Sequence, residues 1–196
     1  MTDRSDPRDI ILDAAAQRIL HYGYGKTTMT EIASDCDMSA GNIYRFFPAK
    51  IDIAEALTRS FAAETHQVYM GIARDSSLMP AQKLKEFFVY RLERHFRLFE
   101  RHPKLLELAD IIARERPDYV VEERALERRH LEKILQEGRE SGAFYFEETP
   151  AIAADLVQCA TMKFRYPQLW TTERFEALRD ELAGLLGLML SGLLVR

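Results

Sequence analysis

Apolar residues recur at spacings of three and four along almost the whole chain, and prolines cut that pattern into separate segments. Such a period belongs to helices that bury one face. No run alternates strictly between apolar and polar residues, and seven prolines and nine glycines in 196 residues are too few for an all-β chain with many tight turns. The expected fold class is therefore all-α. A first helix is predicted over Pro7 to Tyr22, with Asp6 as its N-cap, proline in its first turn and Gly23-Tyr24-Gly25 ending it. Longer segments run from Lys50 to Ile72, Pro80 to Arg101, Lys104 to Arg114, Asp118 to Glu140, Pro150 to Phe164 and Thr172 to Leu194. The stretch Ala143 to Glu148 reads as a connector.

Two short helices lie between the first segment and Pro48. Thr28-Met29-Thr30-Glu31 is a capping box, in which the threonine hydroxyl takes a backbone N–H and the glutamate reaches back to the cap. It starts a helix to about Asp35. Cys36-Asp37-Met38 forms a three-residue turn, and Ser39 caps a second helix through Phe46. Two short helices joined by so few residues must cross steeply, which is the helix-turn-helix arrangement. Ala33 suits the crossing, and Met38, Ile43 and Phe47 suit the packed side. Ser39, Ala40, Asn42, Tyr44 and Arg45 are left for an outer surface. In this motif the second helix enters the DNA major groove. Asn42 can then pair with adenine and Ala40 can touch a thymine methyl, while Thr28, Tyr44, Arg45 and Lys50 suit phosphate oxygens.

The segment TMTEIASDCDMSAGNIYRFFPAK, Thr28 to Lys50, resembles the DNA-binding segment of TetR-family repressors, and DIILDAAAQRILHYGYGKTT fits the first helix of that family. The resemblance covers about the first 55 residues. It implies that Thr28 and Tyr44 contact the DNA backbone, that Lys50 meets a phosphate at the start of the fourth helix, and that Ser39, Ala40 and Asn42 face bases. Arg45 stands where the family often has histidine. Asp37 takes the place of a usual turn glycine, which calls for a left-handed aspartate. Ala40 replaces a frequent lysine, and Ala49 a frequent capping serine or asparagine.

Charge sets the style of binding. Residues 1–50 carry six basic side chains (Arg4, Arg8, Arg18, Lys26, Arg45, Lys50) and seven acidic ones (Asp3, Asp6, Asp9, Asp13, Glu31, Asp35, Asp37), a balance of −1. The whole chain is at −4, so nothing attracts it globally to nucleic acid or to an acidic membrane. Contacts must come from placed residues, with a modest salt dependence.

The organisation expected is a helix-turn-helix domain over residues 1–50, followed by a larger helical ligand-binding and dimerisation domain over 51–196. In the second domain, Phe87, Tyr90, Arg91 and His95, and then Met162, Phe164 and Tyr166, are candidates to line an effector pocket. Aromatics at helical spacing are ordinary core, but Arg91 and His95, a polar pair one turn apart on an apolar face, need a partner. The resemblance implies a homodimer through the last two helices. Ile152, Leu156 and Ala160 with Leu178, Leu182, Leu185, Leu186 and Met189 would form the seam, and Gly184 and Gly187 would allow close approach. A dimer implies an inverted-repeat operator in double-stranded DNA, and the resemblance implies a small-molecule effector of unspecified identity.

Other classes find little support. The five histidines form no H-x-x-x-H or H-E-x-x-H pair, so no metal or cofactor is expected. Carboxylates interleaved with arginines, as in Glu122-Glu123-Arg124 and Glu127-Arg128-Arg129, read as a solvated helix face rather than an acid/base pair. The longest apolar run, Leu182 to Val195, has 14 residues, short of the ~20 that span a bilayer. With no apolar leader before Asp6 and two distant cysteines, Cys36 and Cys159, a cytoplasmic protein with free thiols is expected. The reading is a transcriptional repressor released by its effector, not an enzyme. The alternative is a helical ligand-binding protein or enzyme without DNA-binding activity.

Overall fold

The computed structural model describes residues 6–170 and 172–193. Among them the chain forms nine α-helices: α1 (Pro7–Tyr22), α2 (Met29–Asp35), α3 (Ala40–Phe46), α4 (Lys50–Arg74), α5 (Pro80–Arg101), α6 (Leu105–Glu115), α7 (Pro117–Glu140), α8 (Pro150–Ala160) and α9 (Phe175–Leu193). Two 3-10 turns, Met162–Arg165 and Pro167–Leu169, lie between α8 and α9. The fold is all-α, with the three-helix head at the N-terminal end.

Contacts divide the chain into two compact units. One runs up to Ala63 and includes Phe99–Val121, and the other holds Glu64–Leu98 and the chain from Glu122 onward. In the first unit Ile11, Ala15 and Ile19 of α1 meet Ile32 and Ala33 of α2, Ile43 of α3 and Phe47, all with almost no exposed surface. Ala33 and Ile43 are buried as the motif requires, while Met38 keeps part of its surface. In the second unit α5 buries Leu84, Phe87, Phe88, Arg91 and Leu92, and α9 buries Leu178, Leu182, Leu186 and Leu190.

Several expectations change here. The eighth helix stops at Ala160 instead of reaching Phe164. There the Thr161 hydroxyl donates back to the Val157 and Gln158 carbonyls, and the backbone tightens into a 3-10 turn. The ninth helix begins at Phe175, not Thr172; its expected end, Leu194, lies outside the described residues. Leu178, Leu182 and Leu186, assigned to a dimer seam, face the interior of their own unit because they repeat every fourth residue with Leu190. Leu185 and Met189 are part-buried.

One close packing contact makes a test. A Cβ on Gly138 of α7 would lie 2.0 Å from the ring of the buried Phe144, whereas a Cβ on Gly41 of α3 meets nothing within 4 Å. Gly138→Ala should destabilise the protein by about 1–3 kcal/mol through overpacking. Gly41→Ala should stabilise it by about 0.5 kcal/mol by restricting the unfolded chain. Thermal and urea denaturation of both variants should move in opposite directions from the parent chain.

Candidate nucleic-acid interface and effector-domain cluster

The head is built from caps. The Asp6 carboxylate accepts the Arg8 N–H at 2.8 Å and starts α1. The Thr28 hydroxyl accepts the Glu31 N–H at 3.2 Å, and the Glu31 carboxylate accepts the Thr28 N–H at 2.9 Å, closing the capping box. Ser39 accepts the Asn42 N–H at 3.2 Å. Between the two helices Asp37 adopts φ 54°, the left-handed conformation that the missing glycine called for. Ala49 supplies no side-chain cap to α4. Instead the Asp52 carboxylate reaches back to the Ala49 N–H at 2.9 Å, and Arg116 holds Asp52 and Glu55 at 2.6 and 2.8 Å.

The expected DNA-facing residues sort into two groups. Ser39, Ala40, Tyr44 and Arg45 are exposed on one side of α3, with Asn42 part-buried beside them. Lys26 and Arg45 are exposed and make no ion pair with any described residue. Thr28 is exposed and Lys50 part-buried, and the side chains of both are hydrogen-bonded within the chain. The Thr28 hydroxyl also donates to Glu31 at 2.8 Å. The Lys50 ammonium donates to the Tyr24 and Thr27 carbonyls at 2.8 and 2.7 Å and lies 4.1 Å from the Tyr24 ring centre, leaving one of its three N–H groups. Desolvation there pulls its pKa below the usual lysine value, against the pull of nearby glutamates.

The remaining described cations of the head are also spent inside it. Arg8 donates to the Phe46 carbonyl at 2.8 Å, capping the end of α3, and stacks 4.2 Å above the Phe47 ring. Arg18 pairs with Asp35 and lies 3.4 Å from Glu31. On the α1–α2 loop, Glu107 of α6 accepts the Gly25 N–H at 3.1 Å. A Cβ on Gly25 would sit 2.7 Å from that carboxylate, so glycine allows the approach.

In the second unit the effector-pocket candidates fall into a buried cluster. Phe87 stacks on Tyr69 with ring centres 3.9 Å apart, and Tyr90 meets Tyr69 edge-on at 6.1 Å. Arg91, with no exposed surface, donates to Glu127 at 2.8 Å and to the Thr161 carbonyl at 2.8 Å, and so ties α5 to the turn that carries Met162 and Phe164. Phe164 is fully buried; Met162 and Tyr166 are part-buried. Glu127, expected on a solvated face, is instead 2% exposed. It also pairs with Arg165 and accepts from Gln158 at 3.1 Å. Desolvation would raise its pKa, but the Arg91 and Arg165 guanidiniums outweigh that and hold the carboxyl down to about 2. Burial, with the same two arginines nearby, holds His95 down to about 3.

Comparison with known proteins gives these arrangements a lineage. Residues 11–57 match the bacterial regulatory proteins of the tetR family, and residues 80–186 match the tetracyclin repressor-like C-terminal domain. The chain belongs to the TetR family. It is a helix-turn-helix transcriptional regulator with an effector-binding domain. Over 154 residues it is 28% identical to the transcriptional repressor KstR2 of Mycolicibacterium smegmatis, covering 76% of this chain and 71% of the relative. Over 91 residues it is 30% identical to the repressor BepR of Brucella suis biovar 1, covering 46% of this chain and 44% of the relative. Its fold matches the Thermus thermophilus FadR repressor, solved with lauroyl-CoA, at TM-score 0.71 and 22% identity over 96% of each chain. It also matches the repressor SmeT of Stenotrophomonas maltophilia at TM-score 0.72 and 18% identity, over 97% of this chain and 92% of the other.

Sequence reasoning missed Tyr69, Glu127, Gln158 and Arg165 in this TetR-family regulator, and Trp170, which stacks on Phe96 at 5.6 Å. Arg91 and His95 on an apolar face signal that a partner is needed, but nothing local marks Glu127, followed by two arginines, as that partner. Among the described residues no group of three metal-ligating side chains gathers, and no helix is long and apolar enough to cross a membrane.

The cluster, together with His130, whose ring centre lies 5.9 Å from that of Tyr69, should make stability depend on pH. Unfolded histidine and glutamate titrate near 6.5 and 4.5, while folded His95, His130 and Glu127 sit near 3, 4 and 2. Each folded value is depressed, so the unfolded chain takes up protons first. Stability is complete above about pH 6.5 and falls as pH drops, through the histidines first and Glu127 below 4.5. Melting temperature should decline between pH 7.5 and 5.0, and His95→Gln combined with His130→Gln should flatten that limb. An unchanged melting temperature in the parent chain across this range would contradict the assignment.

Proposed function

We propose that a homodimer of this TetR-family regulator binds an inverted-repeat operator through α3 of each chain, represses a nearby gene, and leaves the DNA when its effector domain binds a small molecule. The observation that carries the reading is the pair of capped seven-residue helices α2 and α3, with Ser39, Ala40, Tyr44 and Arg45 exposed on one surface and Asn42 beside them. Asn42, Ala40 and Ser39 read base edges. Tyr44 and Arg45 take phosphates, joined by Lys26, while Thr28 and the free N–H of Lys50 approach the backbone from the loop they brace. The two α3 helices sit one helical turn apart, about 34–36 Å, or a multiple of it. An operator places the protein in the cytoplasm, and its work is binding rather than catalysis.

Dimerisation through α8 and α9 is supported by apolar side chains that their own unit leaves uncovered. Ile152 and Leu156 on α8 are 52% and 56% exposed, and Leu188 on α9 is 77% exposed. Gly184 and Gly187 have open space where a side chain would be, which suits close helix approach. An effector is supported by the likeness to FadR, solved with lauroyl-CoA, and to SmeT, solved with triclosan. Release requires the effector to bind the DNA-free arrangement more tightly than the DNA-bound one.

Gel retardation on the protein's own upstream DNA tests the recognition helix. Asn42→Ala removes one bidentate base contact from each half-site, so it should weaken the specific site by about 30-fold or more and leave random DNA nearly unchanged. Arg45→Ala removes one phosphate contact from each chain of the dimer, so it should weaken both and lower the slope of log K against log salt by about 1.8. Equal binding by both variants and the parent chain would reject the assignment. Leu188→Glu should convert a dimer to a monomer in light scattering and abolish retardation; a dimer that persists would place the seam elsewhere.

A further inference from the structure

The Arg91–Glu127 cluster is unbalanced in a specific direction. Two guanidiniums, Arg91 and Arg165, share the single Glu127 carboxylate, with 0%, 13% and 2% of their side-chain surfaces exposed. Glu123, the other acid that acts on Arg165, has its carboxylate on the His66 ring at 3.0 Å. Within the contact group one positive charge therefore exceeds the negative. The hydrogen-bond count leans the same way. Arg91 Nε and Trp170 Nε1, both donors on buried side chains, have no partner among the described residues. The one matching acceptor on a buried side chain, Gln158 Oε1, is likewise unpartnered. Buried donors left open are costly, and a buried cationic cluster repels cations.

The surroundings are aromatic. The Arg91 guanidinium lies 4.8 Å from the Phe88 ring centre, Phe87 stacks on Tyr69, and Trp170 stacks on Phe96 at 5.6 Å. A ligand suited to this interior has an apolar body and an acceptor-rich, negatively charged end.

We propose that the effector is a hydrophobic organic acid whose carboxylate docks on Arg91 and Arg165 beside Glu127, with its apolar body against the Tyr69, Phe87, Phe96 and Trp170 rings. The assignment rests on the effector-domain reading above and names the chemical class that this domain takes. Glu127 then acts as a built-in rival: it holds the two arginines in place when the ligand is absent and competes with the incoming acid for them.

Trp170 is the only tryptophan in the chain, so its fluorescence reports on this interior directly. The full-length protein is titrated with sodium octanoate, octan-1-ol and octylammonium chloride, and with 4-phenylbutyrate and 4-phenylbutan-1-ol. The acids should bind saturably and about tenfold or more tightly than their alcohols, as expected for charge-assisted contacts, and the amine should not bind. Arg165→Gln should bring the acids to the level of the alcohols, while Glu127→Gln should tighten acid binding severalfold. Circular dichroism confirms that each variant is folded; should Arg165→Gln not fold, the acid-to-alcohol ratio of the parent chain and Glu127→Gln decide alone. Equal binding of acids and alcohols, or weaker acid binding in Glu127→Gln, overturns the acid assignment and leaves an effector site of other chemistry standing. Absence of any fluorescence or melting-temperature change with all five compounds overturns the acid assignment and also removes support for an effector in this interior. Retardation of operator DNA, measured on the same preparation, judges the DNA-binding reading separately.

Discussion

A helix of seven residues does not persist alone in water, because nucleation costs more than so few hydrogen bonds return. The DNA-binding head nevertheless depends on two of them, α2 and α3. What holds them is end chemistry together with a small shared core. Thr28 and Glu31 satisfy each other's backbone N–H, Ser39 takes that of Asn42, and Arg8 closes the far end of α3 through the Phe46 carbonyl. Ile32, Ala33 and Ile43 then fix the crossing against α1. The exposed face of α3 has a defined direction only because these few contacts leave it no alternative.

The same economy extends along the first unit. Lys50 closes the loop between α1 and α2 through two carbonyls, Glu107 takes the Gly25 N–H, and Arg116 holds the acid that caps the start of α4. Segments separated by as many as 82 residues are thus joined around the recognition helix by single polar contacts. Such contacts are directional, so each fixes one segment against another at a defined point.

How much of this was legible in the sequence depended on range. Caps, turns and helix starts are local, so Asp6, Thr28, Glu31, Ser39 and the left-handed Asp37 could be read from neighbouring residues. The four-residue repeat of Leu178, Leu182 and Leu186 showed that α9 has an apolar face but not what covers it, and the face proved to be internal. Glu127 was illegible for the same reason. Its neighbours Arg128 and Arg129 suggest solvent, and only the fold brings Arg91, 36 residues earlier, and Arg165, 38 residues later, onto its two oxygens. The family pattern points Lys50 at a phosphate, yet its hydrogen bonds to Tyr24 and Thr27 lie 26 and 23 residues away and carry no local signal.

The internal use of Arg8 and Arg18 has a consequence for the protein's life among other DNA. Attraction to arbitrary sequence scales with the number of phosphates a surface neutralises, and a chromosome offers millions of arbitrary sites for each operator. A head that commits two arginines to its own framework is held only weakly by that excess. Under the proposed function, fewer copies would then be sequestered along the genome, and a smaller cellular pool would keep an operator filled.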